Sequence, residues 1–295
     1  MKRAFTLVET LVASFILVLT ISFCMLPFKN TMQMLRLYKD RRIAENRILT
    51  VETIIKSAFE NCGVGISKDP QEYKAGFGNK NRAPFNWNGA LSITNTSQAN
   101  VGKKLRVAYT MPTECLSEEK VTIDLSGKTI FLTEKANKDY FAVDIYDKAQ
   151  SVKNWIIFEG ARQTNTPLLV TDHSADMISV RSKSREVTIP KGSRLMLFRA
   201  LECYCTGDKF YTNDFRSSGE QPREDGICAI DFDYDDIHNL LTVRIIARGD
   251  DENISAGRIE GAEKCTPDML LQWQNKSQYV LYCEKFVLHA ANLTK

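Results

Sequence analysis

Apolar residues run almost unbroken from Phe5 to Phe28, with Glu9 as the only charge, and the pattern then changes to a helical stripe. The uncharged part, Thr10 to Phe28, spans roughly 28 Å as α-helix, about the thickness of a bilayer core. From Lys29 to Glu60 there is no Gly or Pro, and helix formers dominate. Leu37, Ala44, Ile48, Val51, Ile55, Ala58 and Cys62 recur at spacings of three, four and seven, which makes one face apolar. Lys39, Arg41, Arg42, Glu45 and Glu52 fall mostly away from that face. The pattern predicts one helix from about Phe5 to about Glu60, on the order of 84 Å long. Pro27 is expected to kink or locally melt it, and Asn61-Cys62-Gly63 to stop it.

After the helix the pattern turns first irregular and then two-periodic. Ser67 to Asn88 is rich in Gly, Asn, Lys and Pro and reads as loop, with Trp87 as an anchor. Strands are predicted at Leu105–Thr110, Val121–Leu125, Thr129–Thr133, Trp155–Glu159, Met177–Val180, Arg194–Ala200, Ile227–Phe232, Leu240–Ala247 and Tyr279–Leu288. Ser126-Gly127, Lys191-Gly192 and Thr206-Gly207 are turn signals between some of them. One long helix followed by a β-rich head of about 230 residues is an α+β chain rather than α/β. There is no internal repeat and no low-complexity tract.

Charge sharpens this picture at the N-terminus and removes one class of partner elsewhere. Residues 1–60 carry nine Lys/Arg against five Asp/Glu, and the rest carries thirty against thirty-one. The head is therefore near neutral, without a basic patch interleaved with aromatics, and nucleic acid is not an expected partner. Lys2 and Arg3 before the apolar run predict one membrane crossing with the N-terminus inside. Everything after Lys29 then lies outside the inner membrane, and the chain's eight cysteines, seven of them after Lys29, fit such an oxidising compartment. A cleavable secretory signal ending at Ser22-Phe23-Cys24, a lipoprotein signal ending at Cys24 and a plain signal anchor all fit the hydropathy. Phe23 is too large for the residue before a lipidated cysteine. None of the three accounts for Glu9, which costs ~2.5–3.5 kcal/mol near a bilayer centre.

Lys2-Arg3-Ala4-Phe5-Thr6-Leu7-Val8-Glu9 resembles the class III signal of type IV pilins and type II secretion pseudopilins. The resemblance implies a leader of residues 1–4, cut by a prepilin peptidase between Ala4 and Phe5, and an N-methylated Phe5. Ala4 stands where Gly is usual; a small residue still fits such a peptidase. Glu9 becomes the fifth residue of the cleaved chain. The amine of Phe5 is then a cation in a low-dielectric surround, and Glu9 of an adjacent subunit can neutralise it and set register. The implied parts are a filament-core half of the helix at 5–28, an amphipathic half at 29–62 and a periplasmic or extracellular head at 63–295. The size and layout of the head are similar to larger minor pilins and to the J-type pseudopilin. The implied function is a minor type IV pilin that joins or primes a pilus, with a type II secretion pseudopilin as the alternative. A signal-anchored envelope protein with a ligand-binding head is the alternative from another class. The implied partners are other pilin or pseudopilin subunits, the prepilin peptidase, the inner membrane and its assembly platform.

The head offers little chemistry. Its histidines are His173, His238 and His289. Asp172-His173-Ser174 are adjacent, whereas a triad is assembled from separated positions, so His173 reads as a loop residue. No nucleophile elbow, zincin motif or phosphate loop is present, and neither an enzyme nor a cofactor is expected. Asp231, Asp233 and Asp235 in DFDYDD form a weak Ca²⁺ candidate; the run lacks the Gly and closing Glu of an EF-hand loop and reads better as a solvated acidic turn. GDDEN (249–253) reads as a solvated loop. Cys24 is an apolar residue of the membrane segment. Cys62, Cys115, Cys203, Cys205, Cys228, Cys265 and Cys283 are disulfide candidates, most simply three bridges and one free thiol. Cys203 and Cys205 share a strand face and suit separate partners. Cys265 with Cys283 would pin the C-terminal strand. A zinc site including Cys203 and Cys205 competes poorly in an oxidising compartment.

Overall fold

The computed structural model describes residues 7–95, 102–142, 148–160, 166–217, 219–252, 259–273 and 278–289. Helix α1 occupies Leu7–Glu60 and is unbroken, about 81 Å at the usual rise per residue. It passes through Pro27 without the expected local melting. A proline removes one N–H, so only the Phe23 carbonyl loses its helical donor, and the ladder resumes on both sides. The chain leaves the helix at Gly63, which adopts φ +78° and donates its N–H to the Ala108 carbonyl at 3.1 Å. The stop signal therefore also anchors the helix end to the head.

The head has two principal sheets. Nine strands make the larger one: β1 (Leu91–Asn95), β2 (Lys103–Leu116), β4 (Lys128–Phe131), β5 (Trp155–Phe158), β6 (Leu168–His173), β7 (Met177–Ser182), β9 (Arg194–Thr206), β10 (Lys209–Asp214) and β11 (Gly219–Asp225). The long β9 is its spine. It pairs antiparallel with β2 along one edge, and on the other with β5 near its start and β10 near its end. The smaller sheet orders β12 (Ile227–Asp235), β13 (Leu240–Glu252), β15 (Tyr279–His289) and β14 (Ile259–Glu260). Strands β3 (Val121–Ile123) and β8 (Val187–Ile189) pair separately.

All nine strands expected from alternation are present, several of them longer than the apolar run that marked them. Strands β1, β6, β8, β10, β11 and β14 were not anticipated. Most are short, and β11 is largely polar and exposed, so it has little alternation to reveal it. The expected loop at 67–88 contains helix α2 (Pro70–Gly76). Asp69 accepts from the N–H groups of Gln71 and Glu72, and Pro70 opens the helix, so the start signal lay within Gly- and Asn-rich sequence. Helix α3 (Pro267–Trp273) is equally short. Trp87, expected as an anchor, is buried.

The small sheet buries one face along its length and the other only beside α3. Leu241, Val243, Ile245 and Ala247 of β13 pack with Ala44, Ile48, Val51, Ile55 and Phe59 of α1, in a core that continues to Phe198 and Phe210 of the large sheet. On the other face Ile246, Leu281, Cys228 and Cys283 pack with Met269 of α3. A separate core centred on Ile130, Ile178 and Leu195 fills the far end of the head. Phe59 is fully buried and meets Tyr234 edge-on at 6.4 Å, whereas Leu49, one helical face away, is 56% exposed. Phe59→Ala is expected to destabilise the chain by about 3–5 kcal/mol, and Leu49→Ala by no more than about 0.5 kcal/mol. Urea unfolding in detergent, followed by fluorescence of the buried Trp87 and Trp155, measures both.

Candidate functional site

Helix α1 divides sharply at Asp40. Every described side chain from Leu7 to Lys39 is exposed, a projection of about 50 Å. Beyond it Asp40, Ala44, Ile48, Val51, Ile55, Ala58 and Cys62 are buried in helical register. Leu37, expected on this face, is instead 39% exposed, because the head ends there. Its carbonyl accepts from the Tyr282 hydroxyl at 3.3 Å, the last contact of this kind before the helix projects. The projecting part holds the single membrane-length apolar helix among the described residues, with mean hydropathy 2.4 over its best window. This fits a single-pass membrane anchor. Glu9 is exposed in the first turn of the helix, where a carboxylate also suits the helix dipole. Ala4 and Phe5, the expected processing site, lie outside the described residues.

The seat of the helix is a polar clamp inside an apolar interface. Strand β13 bulges against β15 between Arg248 and Glu252, which takes backbone groups out of the ladder. The N–H groups of Asp250 and Asp251 turn to the helix instead, and Asp40 Oδ1 accepts both at 3.2 Å. Arg47, two turns on along the same face, donates Nη1–H to the Arg248 carbonyl at 2.7 Å and Nη2–H to Asp250 Oδ1 at 2.6 Å. Two glycines permit the approach. A Cβ on Gly249 would lie 2.5 Å from Asp40 Cβ, and one on Gly226, at φ +76°, would lie 2.6 Å from Arg47 Nη1. The segment 249–253 is thus a correction: through Glu252 it is the end of β13 and grips the helix rather than forming a solvated loop, while Asn253 lies outside the described residues. Its charges suggested solvent because their backbone partners are two hundred residues away. One sequence signal was available: Asp40 falls between Leu37 and Ala44, an acid within the apolar stripe.

A groove of about 520 Å³ flanks the seat. Glu45 and Glu52 of α1 face Glu260, Glu263 and Glu284 across it, and Lys264 pairs with Glu284 at 2.7 Å.

The cysteines resolve differently from the expected three bridges. Cys265 and Cys283 form a disulfide, the pairing anticipated, and it ties the turn before α3 to β15. Cys62, Cys115, Cys203, Cys205 and Cys228 are buried free thiols and Cys24 is an exposed one. Burial alone raises the Cys62 thiol far above its ordinary range, and burial followed by the charge of Glu202 pushes Cys203 up to about 12. Cys203 and Cys205 do share one face of β9, within the same core. The physical reason for the shortfall is placement: Cys62 sits under the Ala90 carbonyl at the helix end, and Cys115 belongs to the separate distal core.

The remaining candidates do not converge. Asp231 lies between Lys103 (3.0 Å) and Arg244 (3.2 Å), so side-chain cations occupy its surroundings. Asp233 is exposed, and Asp235 accepts from Ile237 and His238 N–H groups in the β12–β13 hairpin turn. The His238 hydrogen bond holds the Asp235 carboxyl below its usual range. The three acids are not brought together, and among the described residues no cluster of His, Cys, Asp and Glu could hold a metal ion. His173 ends strand β6 rather than lying in a loop, with its ring 4.9 Å from Phe141. Asp172 beside it is exposed and accepts from the His173 backbone N–H, not from its ring.

Comparison with known protein families, curated proteins and solved structures finds no match to this chain.

The clamp generates a direct test. Asp40→Ala removes the shared acceptor of two part-buried N–H groups and is expected to cost about 1–3 kcal/mol, whereas Asp40→Asn keeps an acceptor and recovers more than half. Urea unfolding of the full chain checks this; a loss no larger than at an exposed helix position would refute the clamp.

Proposed function

We propose that the chain is a pilin-like filament subunit, and specifically a minor type IV pilin that joins or primes a filament at the inner membrane. The observation that carries this reading is the division of α1. One half is seated in the head, and the other is exposed at every described side chain; from Leu7 to Phe28 it is apolar, long enough to cross a bilayer and charged only at Glu9. A signal sequence removed after export has no need of a rigid continuation into the head core. A helix that first crosses a membrane and later packs among copies of itself has use for both halves.

On this reading the work of the protein is assembly. Processing at Ala4–Phe5 exposes an amine, and Glu9 of a neighbouring subunit supplies its counter-charge as the helix enters the bundle. Both groups are costly alone in apolar surroundings and tolerable as a pair, so the pairing selects one axial register among many that apolar packing would allow. The head, with its own three cores, stays outside and gives the subunit its surface.

Intact-mass and N-terminal peptide analysis of the membrane-extracted protein is expected to find a chain that begins with methylated Phe5. An intact Met1, or a start near Met25, overturns the reading. Glu9→Gln is expected to lower incorporation into filaments at least tenfold while leaving membrane insertion and head stability unchanged, as measured by shearing, immunoblotting and unfolding. Wild-type incorporation of Glu9→Gln would remove the register role.

A further inference from the structure

Two of the free thiols, Cys205 at the end of β9 and Cys228 at the start of β12, meet where the large sheet abuts the small one. Cys205 Sγ lies 2.9 Å from the Ile227 carbonyl oxygen, the oxygen of the peptide that leads into Cys228. Standard peptide dimensions then put that sulfur within about 6 Å of the Cys228 Cα. Both side chains line one cavity of about 440 Å³, walled in part by Ile230, Asp231 and Met269, so a rotating thiol has room. Strand β12 shifts register against β13 between Ile227 and Ala229, leaving Cys228 without a partner across the ladder. The backbone around the pair is nevertheless fixed. Ile227 N–H donates to the Asp208 carbonyl at 3.0 Å, Arg248 N–H donates to the Gly226 carbonyl at 2.9 Å, and the Arg248 guanidinium pairs with Asp208 at 2.8 Å.

We propose that Cys205 and Cys228 are a second disulfide pair of the head, closed during folding in an oxidising environment, and that the bond staples β9 of the large sheet to β12 of the small one. No other pair of the free cysteines lines one cavity among those described.

The chemistry balances with a disulfide oxidant, either a thiol–disulfide oxidoreductase or oxidised glutathione. A Cys228 thiolate attacks one sulfur of the oxidant, forming a mixed disulfide and releasing one thiolate. A Cys205 thiolate then attacks Cys228 Sγ, the Sγ–Sγ bond forms and the second oxidant thiolate leaves. The two protein thiols have given up two electrons and two protons, and the oxidant departs as two thiols. In the folded head, burial pushes the Cys228 thiol up to about 12. Burial and then the charge of Cys228 push Cys205 higher still. Thiolate is therefore scarce once the sheets have closed, which assigns the reaction to the folding chain, and the finished bond is equally sheltered from reductants.

The test uses the full-length chain, refolded in detergent micelles with mixed reduced and oxidised glutathione. The oxidant is raised until Cys265–Cys283 is closed, and free thiols are then alkylated in denaturant. A non-reducing tryptic map is expected to join the peptide 200–209 to the peptide 224–244, with two hydrogens fewer than the separate peptides. Because 200–209 also holds Cys203, the link must persist in Cys203→Ser and vanish in Cys205→Ser. The oxidised chain is further expected to melt roughly 5–10 °C above Cys205→Ser/Cys228→Ser. Alkylated Cys205 and Cys228 beside a closed Cys265–Cys283 overturn the proposal, as does a link through Cys203. The wild-type map decides the matter even where a variant fails to fold. It needs no filament, so its outcome is independent of the pilin-like reading.

Discussion

The structure depends on the junction between α1 and the bulge of β13. Apolar packing of a smooth helix face on a smooth sheet face is strong but weakly directional; a helix can slide by a turn and recover most of the buried area. The two N–H groups held by Asp40 and the carbonyl held by Arg47 remove that freedom, because each has one position at which it is satisfied. The bulge takes these groups out of the ladder and the helix supplies their partners. Gly226 and Gly249 let the two surfaces come close enough for this to happen.

On either side of that junction the same helix presents two different surfaces. Its seated half follows globular rules, with buried residues at three and four and, Asp40 and Arg47 apart, charges turned outward. Its projecting half carries an apolar stretch long enough to span a bilayer. There the hydroxyls of Thr20 and Ser22 fold back onto the carbonyls one turn earlier, at 2.7 and 2.8 Å, and present little polarity to the surroundings. Within the apolar stretch from Leu7 to Phe28 Glu9 is the one charge, and the assembly proposed above would account for it.

Legibility in the sequence followed physical range. Elements governed by neighbours in sequence were readable: the helix from its periodicity, nine strands from alternation, and the glycine stop. The pairing of Cys265 with Cys283 could be read because both belong to one short C-terminal unit. What escaped was set by distant partners. The acidic run after Arg248 looks like a solvated loop until Asp40 is brought against it, and Asp231 reads as part of a solvated acidic turn until Lys103 and Arg244 arrive. Short elements such as α2 escaped for the opposite reason: a single cap made by Asp69 is too brief a signal to stand out against surrounding glycines. Of the proposed assembly site, Glu9 is conspicuous because a charge in an apolar run stands out in one dimension, whereas the seat of the helix on the head does not.

The clean division at Asp40 makes the projecting helix a lever. With about 50 Å between the clamp and the first turn, a tilt of about 5° at the seat displaces the Glu9 end by roughly 4 Å, most of one helical turn's rise. Positional accuracy at the Glu9 end is thus decided in the head, at a seat built from one aspartate, one arginine and two glycines. Small changes in head packing are geared up into changes of reach.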